Sequence, residues 1–365
     1  MKALRWIRST LAVLNGIVVL LLLLSAFSDM VSPADHLLFA YLGLAFPLFL
    51  LLNTGFLVFW IIMRKWNHAF VVLCSFLICW KPIRQYIPFH LRVKQPPREE
   101  LIKVLTYNVM CFGYKDHTAG QPNPIIRYIA ESGADIVCMQ EYLEGYTPHL
   151  LTENKIARAL SMYPYHSYVP LVHYPRYTTG LAIYSKYPIR SSRKIRYDSS
   201  FNGSAVHELN VKGKKMIVVN NHLESFKFTT EDRSKYSEFI RNANTGTFDY
   251  IRGALERKMG EAFRTRAEQA DIIADEIETL QGDYLIVCGD FNDTPLSYAR
   301  RRIQGSLRDA YVESGRGAGV SYNENMFWFR IDHILHSPNM TACRATVDRV
   351  KLSDHYPVWC YLRPD

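Results

Sequence analysis

The sequence predicts an α+β domain preceded by membrane-spanning helices. Two observations carry this. Long uncharged runs fill the first ninety or so positions, while the rest of the chain has the mixed charge of a water-exposed domain. Within that second part, short strand-like apolar runs outnumber helical ones, and two of them are joined as a hairpin.

Leu11 to Ser28 is an uncharged run broken only by Asn15, Gly16 and two serines, and Leu37 to Met63 is a second, longer one. Each approaches or exceeds the roughly 20 residues that cross a bilayer core as a helix. Val71 to Trp80 is a third, shorter run ending at Lys81 and Arg84. It spans if those cations snorkel to the interface. Lys2, Arg5 and Arg8 resemble the basic start of a signal peptide, but a second full-length run follows at once, which favours a retained anchor. These cations also place the N-terminus in the cytoplasm, and Arg64 and Lys65 fall on the same side. Three spans then put the C-terminal domain outside. The basic stretch Lys81 to Glu100, with four prolines, is expected to be a stiff, extended linker. The expected division is therefore residues 1–97, an anchor of two to three spans plus linker, and residues 98–365, the catalytic domain.

The net charge of +9 suits an anionic partner without choosing among phosphate esters, nucleic acid and acidic lipid. None of the seven cysteines shows CxxC spacing, which argues against zinc. Cys138 and Cys288 sit in buried-strand runs and are expected to be small core hydrophobes.

In the C-terminal part, strands are expected at Ile102 to Asn108, Asp135 to Gln140, Gly180 to Tyr184, Tyr284 to Cys288, Ile331 to Leu335 and Pro357 to Leu362. Ala205 to Val211 and Met216 to Asn220 form a hairpin about Gly213. Ile125 to Ser132, stopped by Gly133, and Arg264 to Leu280 have helical spacing. Phe226 to Phe263 is polar and long for a connection, so it is expected to be an insertion, lid-like or partly disordered. Tyr163, Tyr165, Tyr168, Tyr174 and Tyr177 fit ordinary loop packing better than a membrane-touching rim, and His207 and His333 fit structural roles.

Several strand-like runs end in polar clusters: Asn108, Glu141, Asn221 with His222, Asp290 with Asn292, Asp332, and Asp354 with His355. Carboxylates bind a hard cation, a cation offsets phosphate charge, and His or Asp moves a proton. Each cluster alone is weak evidence, since a strand-terminal Asn is usually a turn former. Their order carries more. Thr106-Tyr107-Asn108, Asp135 to Glu141, Asn221-His222-Leu223, Gly289-Asp290-Phe291-Asn292, Arg330 to Ile334 and Ser353 to Val358 together resemble the endonuclease/exonuclease/phosphatase superfamily. That group includes DNase I-like nucleases, inositol polyphosphate 5-phosphatases and neutral sphingomyelinases. The resemblance runs from about Lys103 to Leu362.

It implies a four-layer α-β-β-α sandwich and a Mg²⁺-dependent phosphodiesterase, with Mn²⁺ as the substitute ion. It implies Glu141 as principal metal ligand, helped by Asn108 and Asp354. It implies His355 as the catalytic imidazole, Asp332 as its orienting carboxylate and His222 as a donor to phosphoryl oxygens. Asp290 and Asn292 would position the attacking water and the phosphate. Either Asp290 or His355 could take the proton.

The anchor, the basic linker and the insertion after His222 tilt the substrate toward a phospholipid or lipid-linked headgroup, with the protein multi-pass in a bacterial inner membrane and its catalytic domain periplasmic. A membrane-anchored DNase I-like nuclease and a non-catalytic membrane binding protein are the alternatives.

Overall fold

The computed structural model describes residues 2–91, 96–118, 120–147, 149–229, 245–324 and 328–365, with 231, 232, 234, 235 and 238 between them. Arg92 and Lys94 of the expected linker lie outside the described residues, as does most of the 230–244 part of the expected insertion.

Twelve strands form two six-stranded sheets. In chain order they are β1 (Ile102–Asn108), β2 (Ile136–Gly145), β3 (Tyr165–His173), β4 (Tyr177–Ser185), β5 (Ile189–Ile195), β6 (Gly203–Val211), β7 (Lys214–His222), β8 (Tyr284–Asp290), β9 (Arg308–Asp309), β10 (Asp332–His336), β11 (Met340–Val347) and β12 (Val358–Pro364). The first sheet runs β11-β12-β1-β2-β4-β3 and the second β5-β6-β7-β8-β10-β9. Two central pairs, β1–β2 and β7–β8, are parallel; the others are antiparallel.

Every residue of β1 is buried, because the strand is covered on both faces. Val104, Cys138 and Ile183 of the first sheet pack against Met216, Val218, Cys288 and Ile334 of the second. Leu105 and Val137 face outward onto Ile125 and Ile129 of the helix Pro124–Glu131. On the other side, Val219 and Val287 meet Ala270 and Ile273 of the long helix Thr245–Thr279. These are the four expected layers, and Cys138 and Cys288 are core residues as read. A polar seam ties the sheets together: Gln140 Nε2 donates to Asn220 Oδ1 at 2.7 Å, and Asn220 Nδ2 donates to Met139 O and Ala182 O.

The expected hairpin forms with Lys212 and Gly213 both at positive φ, the two-residue turn whose twist matches that of strands. Of the tyrosine-rich stretch, Tyr165 and Tyr168 lie in β3 and Tyr177 in β4, while Tyr163 and Tyr174 lie just outside these strands. Tyr163 is buried in the core and Tyr168 and Tyr177 pack on it. Within the expected insertion, residues 245–263 are helical, since the helix begins at Thr245 rather than near Arg264.

The N-terminal part forms five helices: α1 (Lys2–Ala26), α2 (Leu37–Leu44), α3 (Phe46–Ile62), α4 (Trp66–Ile78) and α5 (Trp80–Tyr86). Trp6–Ala26 is one continuous helix long and apolar enough to cross a membrane. The second uncharged run is bent by 55° between α2 and α3, and α4 and α5 meet at 66°, so each pair counts as a span only if the bent pair is one. The chain from Lys81 is not extended linker at its start, because α5 continues to Tyr86 and docks on the domain. Gln85 Nε2 donates to Pro295 O at 2.5 Å, and Arg330 donates to Gln85 O. Leu22 and Ala26 of α1, Phe46 of α3, Cys79, and Tyr86 of α5 close over Leu296 of the domain.

Near this junction Arg300 and Asp309 form a buried pair at 2.5 Å. Burial alone would raise the Asp309 carboxyl, but Arg300 and then Arg330 pull it far below the usual carboxylate range. A carboxyl lowered on folding adds stability above its unfolded value near 3.9, and that stability is lost as pH falls below it. Asp309→Ala strands a buried guanidinium, so unfolding in urea is expected to show a loss of about 3–5 kcal/mol at neutral pH. The loss should shrink in acid, below about pH 4.

Candidate active site

Strand register assembles the polar residues. Asn108 pairs with Gln140 at the end of the parallel β1–β2 pair, one residue before Glu141. In the other sheet His222 pairs with Asp290 and Asp290 with Asp332, which sets three site residues in one row across β7, β8 and β10. Asp354 and His355 immediately precede β12, the neighbour of β1.

Local backbone departures aim the side chains. Glu141 has φ of 51° where the β2–β4 register slips between Met139 and Tyr142. This bulge re-aims the side chain. Gly289 has φ of 132°, and a Cβ there would lie 2.0 Å from Asn221 O, so the position before Asp290 admits only glycine. Asn292 has φ of 51°; its N–H donates to Asp290 Oδ1 at 2.8 Å and its amide to Leu223 O.

The centre is an Asp–His pair. His355 Nδ1 donates to Asp332 Oδ2 at 2.8 Å, and His355 Nε2 lies 3.5 Å from Asp290 Oδ2. All three residues are buried. Burial acts to lower the His355 imidazole, but Asp332 and then Asp290 outweigh it and hold it well above its ordinary value. Burial pushes Asp290 up to about 6, against the pull of His355 and with Asp332 adding to the rise. His222 is lowered by its own burial, against the pull of Asp290. Its Nε2 lies 3.7 Å from Glu141 Oε1 and 3.8 Å from Asp290 Oδ2.

Asn108 Nδ2 donates to both Glu141 Oε1 and Asp290 Oδ2, at 3.1 Å each. One polar point thus faces two carboxylates. Turning the amide, at the cost of the bond from Met110 N to Oδ1, would bring three oxygens together there. This donor set suits a hard divalent cation. Asp354 belongs to the same cavity and is joined to the set through Ser353, whose Oγ is within bonding distance of Asn108 O (2.9 Å) and Asp354 Oδ1 (3.1 Å).

Asp290, Asp332 and His355 also bring ligand atoms within 4.8 Å of one another, a grouping that differs from the expected Glu141, Asn108 and Asp354. The Nδ1 proton already bridges His355 and Asp332 in that group, so it reads better as an orienting pair than as an ion cage. His207 and His333 are buried and bonded elsewhere, to Ser192 and to the Asp293 carbonyl, as structural histidines are.

The structure adds three supports to the expected set. Ser321 Oγ accepts from Ile331 N and Asp332 N, both at 3.0 Å. Ser353 Oγ also accepts from His355 N. Tyr322 meets the His355 ring edge-on at 5.1 Å. A serine in a loop carries no sequence mark of such a role. Nor does the turn Met110–Tyr114, where five consecutive residues have positive φ.

Six of the site residues, Glu141, His222, Asp290, Asn292, Asp354 and His355, line one cavity of about 180 Å³, and Asn108 and Asp332 bond to them from behind it. Residues 105–355, which include every one of them, match the profile of the Endonuclease/Exonuclease/phosphatase family. The chain belongs to this family. Its members are metal-dependent hydrolases of phosphate esters, and so is this enzyme. Residues 8–86 match a second profile, that of a domain of unknown function. No curated protein matches the sequence significantly.

Among solved structures, an endonuclease/exonuclease/phosphatase from Beutenbergia cavernae DSM 12333 is similar with a TM-score of 0.51 at 16% identity, over 72% of each chain. A family protein from Leptotrichia buccalis C-1013-b gives 0.48 at 16%, over 72% of this chain and 99% of its own. The human Nocturnin catalytic domain, solved with bound sulfate, gives 0.48 at 16%, over 76% and 97%. At 16% identity the likeness to the Beutenbergia cavernae structure speaks to the fold alone.

If Asp332 holds the His355 proton, Asp332→Asn should lower the His355 titration by at least about one pH unit. NMR of the histidine ring carbons in the full chain checks this. An unmoved titration would show that another group controls the imidazole.

Proposed function

We propose that this enzyme is a membrane-anchored, Mg²⁺-dependent phosphodiesterase acting on the headgroup phosphodiester of a phospholipid or lipid-linked substrate. The observation that carries the catalytic part is the His355–Asp332 bond at 2.8 Å beside Asp290, in the cavity that Glu141 and His222 share. The docking of α5 and the bundle ends on the domain favours a substrate held in the membrane.

In this reading Glu141, with Asn108 and Asp354, holds the cation, which offsets phosphate charge when bound. Asp290 takes the proton from the attacking water as its oxygen bonds phosphorus and the ester P–O bond breaks. A carboxylate whose affinity for protons is raised toward neutrality suits that task. His355, kept protonated by Asp332, and His222, a neutral donor, steady the charge that builds on the phosphoryl oxygens. Asn292 fixes Asp290 through its backbone N–H. The leaving oxygen is protonated from solvent.

The proposed arrangement is residues 1–97 as a multi-pass anchor and 98–365 as the catalytic domain, on the periplasmic side of a bacterial inner membrane. It is supported by the basic N-terminal segment at one end of α1 and the domain at the other. The nuclease reading requires cations that track a phosphate backbone. Lys227 is the one lysine or arginine among the described residues lining the cavity.

Full-length enzyme should cleave phosphodiesters with Mg²⁺ and lose activity with EDTA. Glu141→Ala and His355→Ala should each lower kcat by about 100-fold or more. Cleavage of DNA in preference to lipid would overturn the substrate assignment. The rate should rise with pH through about 6 as Asp290 ionises, and fall in alkali as His355 loses its proton. A pH profile of kcat/KM without the acidic limb would remove Asp290 as the base.

A further inference from the structure

We infer that the membrane segment builds part of the catalytic cleft, so that the enzyme takes its substrate from the bilayer in which it is itself anchored. This rests on the lipid reading above and narrows it. Leu44, the last residue of α2, lines the same cavity as Glu141, His222 and His355. Phe46, two residues further on, already belongs to the cluster where α1, α3 and the α4–α5 junction close on Leu296. The cleft therefore lies beside the domain-facing end of the helical bundle.

Close contacts hold α2 in this position. A Cβ on Gly43 would lie 2.4 Å from Ser28 Oγ and 2.8 Å from Leu296 O, so the helix approaches the domain more closely than any side chain permits. Tyr41 donates to Glu256 O at 3.2 Å and meets Phe263 edge-on at 5.5 Å. Phe263 in turn packs on Phe226 at 5.3 Å, and Phe226 lines the cavity. A continuous apolar contact thus joins the anchor to the cleft wall.

The chemistry of the cavity is mixed. Its carboxylates and imidazoles share the wall with Leu44, Phe226, Phe228, Met259 and Phe329, beside the polar Ser225, Lys227 and Asn292. An amphiphile satisfies both kinds of lining, with its phosphodiester among the polar groups and its apolar portion along α2.

The test uses the full chain in phosphatidylethanolamine–phosphatidylglycerol vesicles with Mg²⁺. Three substrates are compared: soluble bis(p-nitrophenyl) phosphate, lipid in the enzyme's own vesicles, and the same lipid in protein-free vesicles. Lipid in the shared bilayer should be cleaved about 100-fold faster than lipid offered from outside. Gly43→Val, which forces α2 away from Leu296 O, should lower the shared-bilayer rate roughly tenfold or more relative to the soluble diester rate. If that variant fails to fold, the comparison of the two vesicle populations stands without it. Cleavage of the soluble diester with equal lipid rates, with no lipid cleavage, or with both rates falling equally in Gly43→Val overturns this inference and leaves the phosphodiesterase. No cleavage of any substrate overturns the proposed function, and this inference with it.

Discussion

Strands β7, β8 and β10 end in register, and that alignment carries the rest of the site. His222, Asp290 and Asp332 are cross-strand neighbours, so their spacing is set by ladder hydrogen bonds rather than by flexible loops. The price is three ionisable groups in a buried row, and it is met locally. His355 neutralises Asp332 through a direct bond, and Asn108 donates to both Asp290 and Glu141. The Gln140–Asn220 bond fixes the first sheet against the second, so Asn108 and Glu141 face that row rather than slide along it.

The strands buried on both faces were legible because their apolar runs are continuous. β1 was read over its full length, and β2 and β8 were read short at their polar ends. The missed strands are those whose pattern is diluted. β5 carries Arg190, Arg193 and Lys194 on a half-exposed edge, and β11 interleaves small residues with Thr341, Arg344 and Thr346 and is bulged between Ala342 and Arg344. β3 was hidden by tyrosines that serve strand and loop equally well. The helix start at Thr245 was missed because its first turns are polar and mixed, without a clear apolar stripe.

For the site, residue types at strand ends suggested the cleft, and their order suggested the family. Which groups touch was illegible, because the partners are far apart in sequence. Asn108 meets Asp290 across 182 positions. Ser321 was invisible and Ser353 stood only as the first residue of a matching segment, because a loop serine has no pattern until the backbone it accepts from is known. The bends between α2 and α3 and between α4 and α5 were missed because an uncharged run reports length, not direction. Leu44, at the α2–α3 bend, lines the catalytic cavity.

In the proposed mechanism Glu141 and its neighbours would hold the cation while Asp332 orients His355. Mn²⁺ binding followed by electron paramagnetic resonance, on the full chain and on Glu141→Ala and Asp332→Ala, separates the two groupings. The account predicts that high-affinity binding is lost in Glu141→Ala and retained in Asp332→Ala. Retention in Glu141→Ala with loss in Asp332→Ala would contradict it and move the ion to the Asp290–Asp332–His355 group.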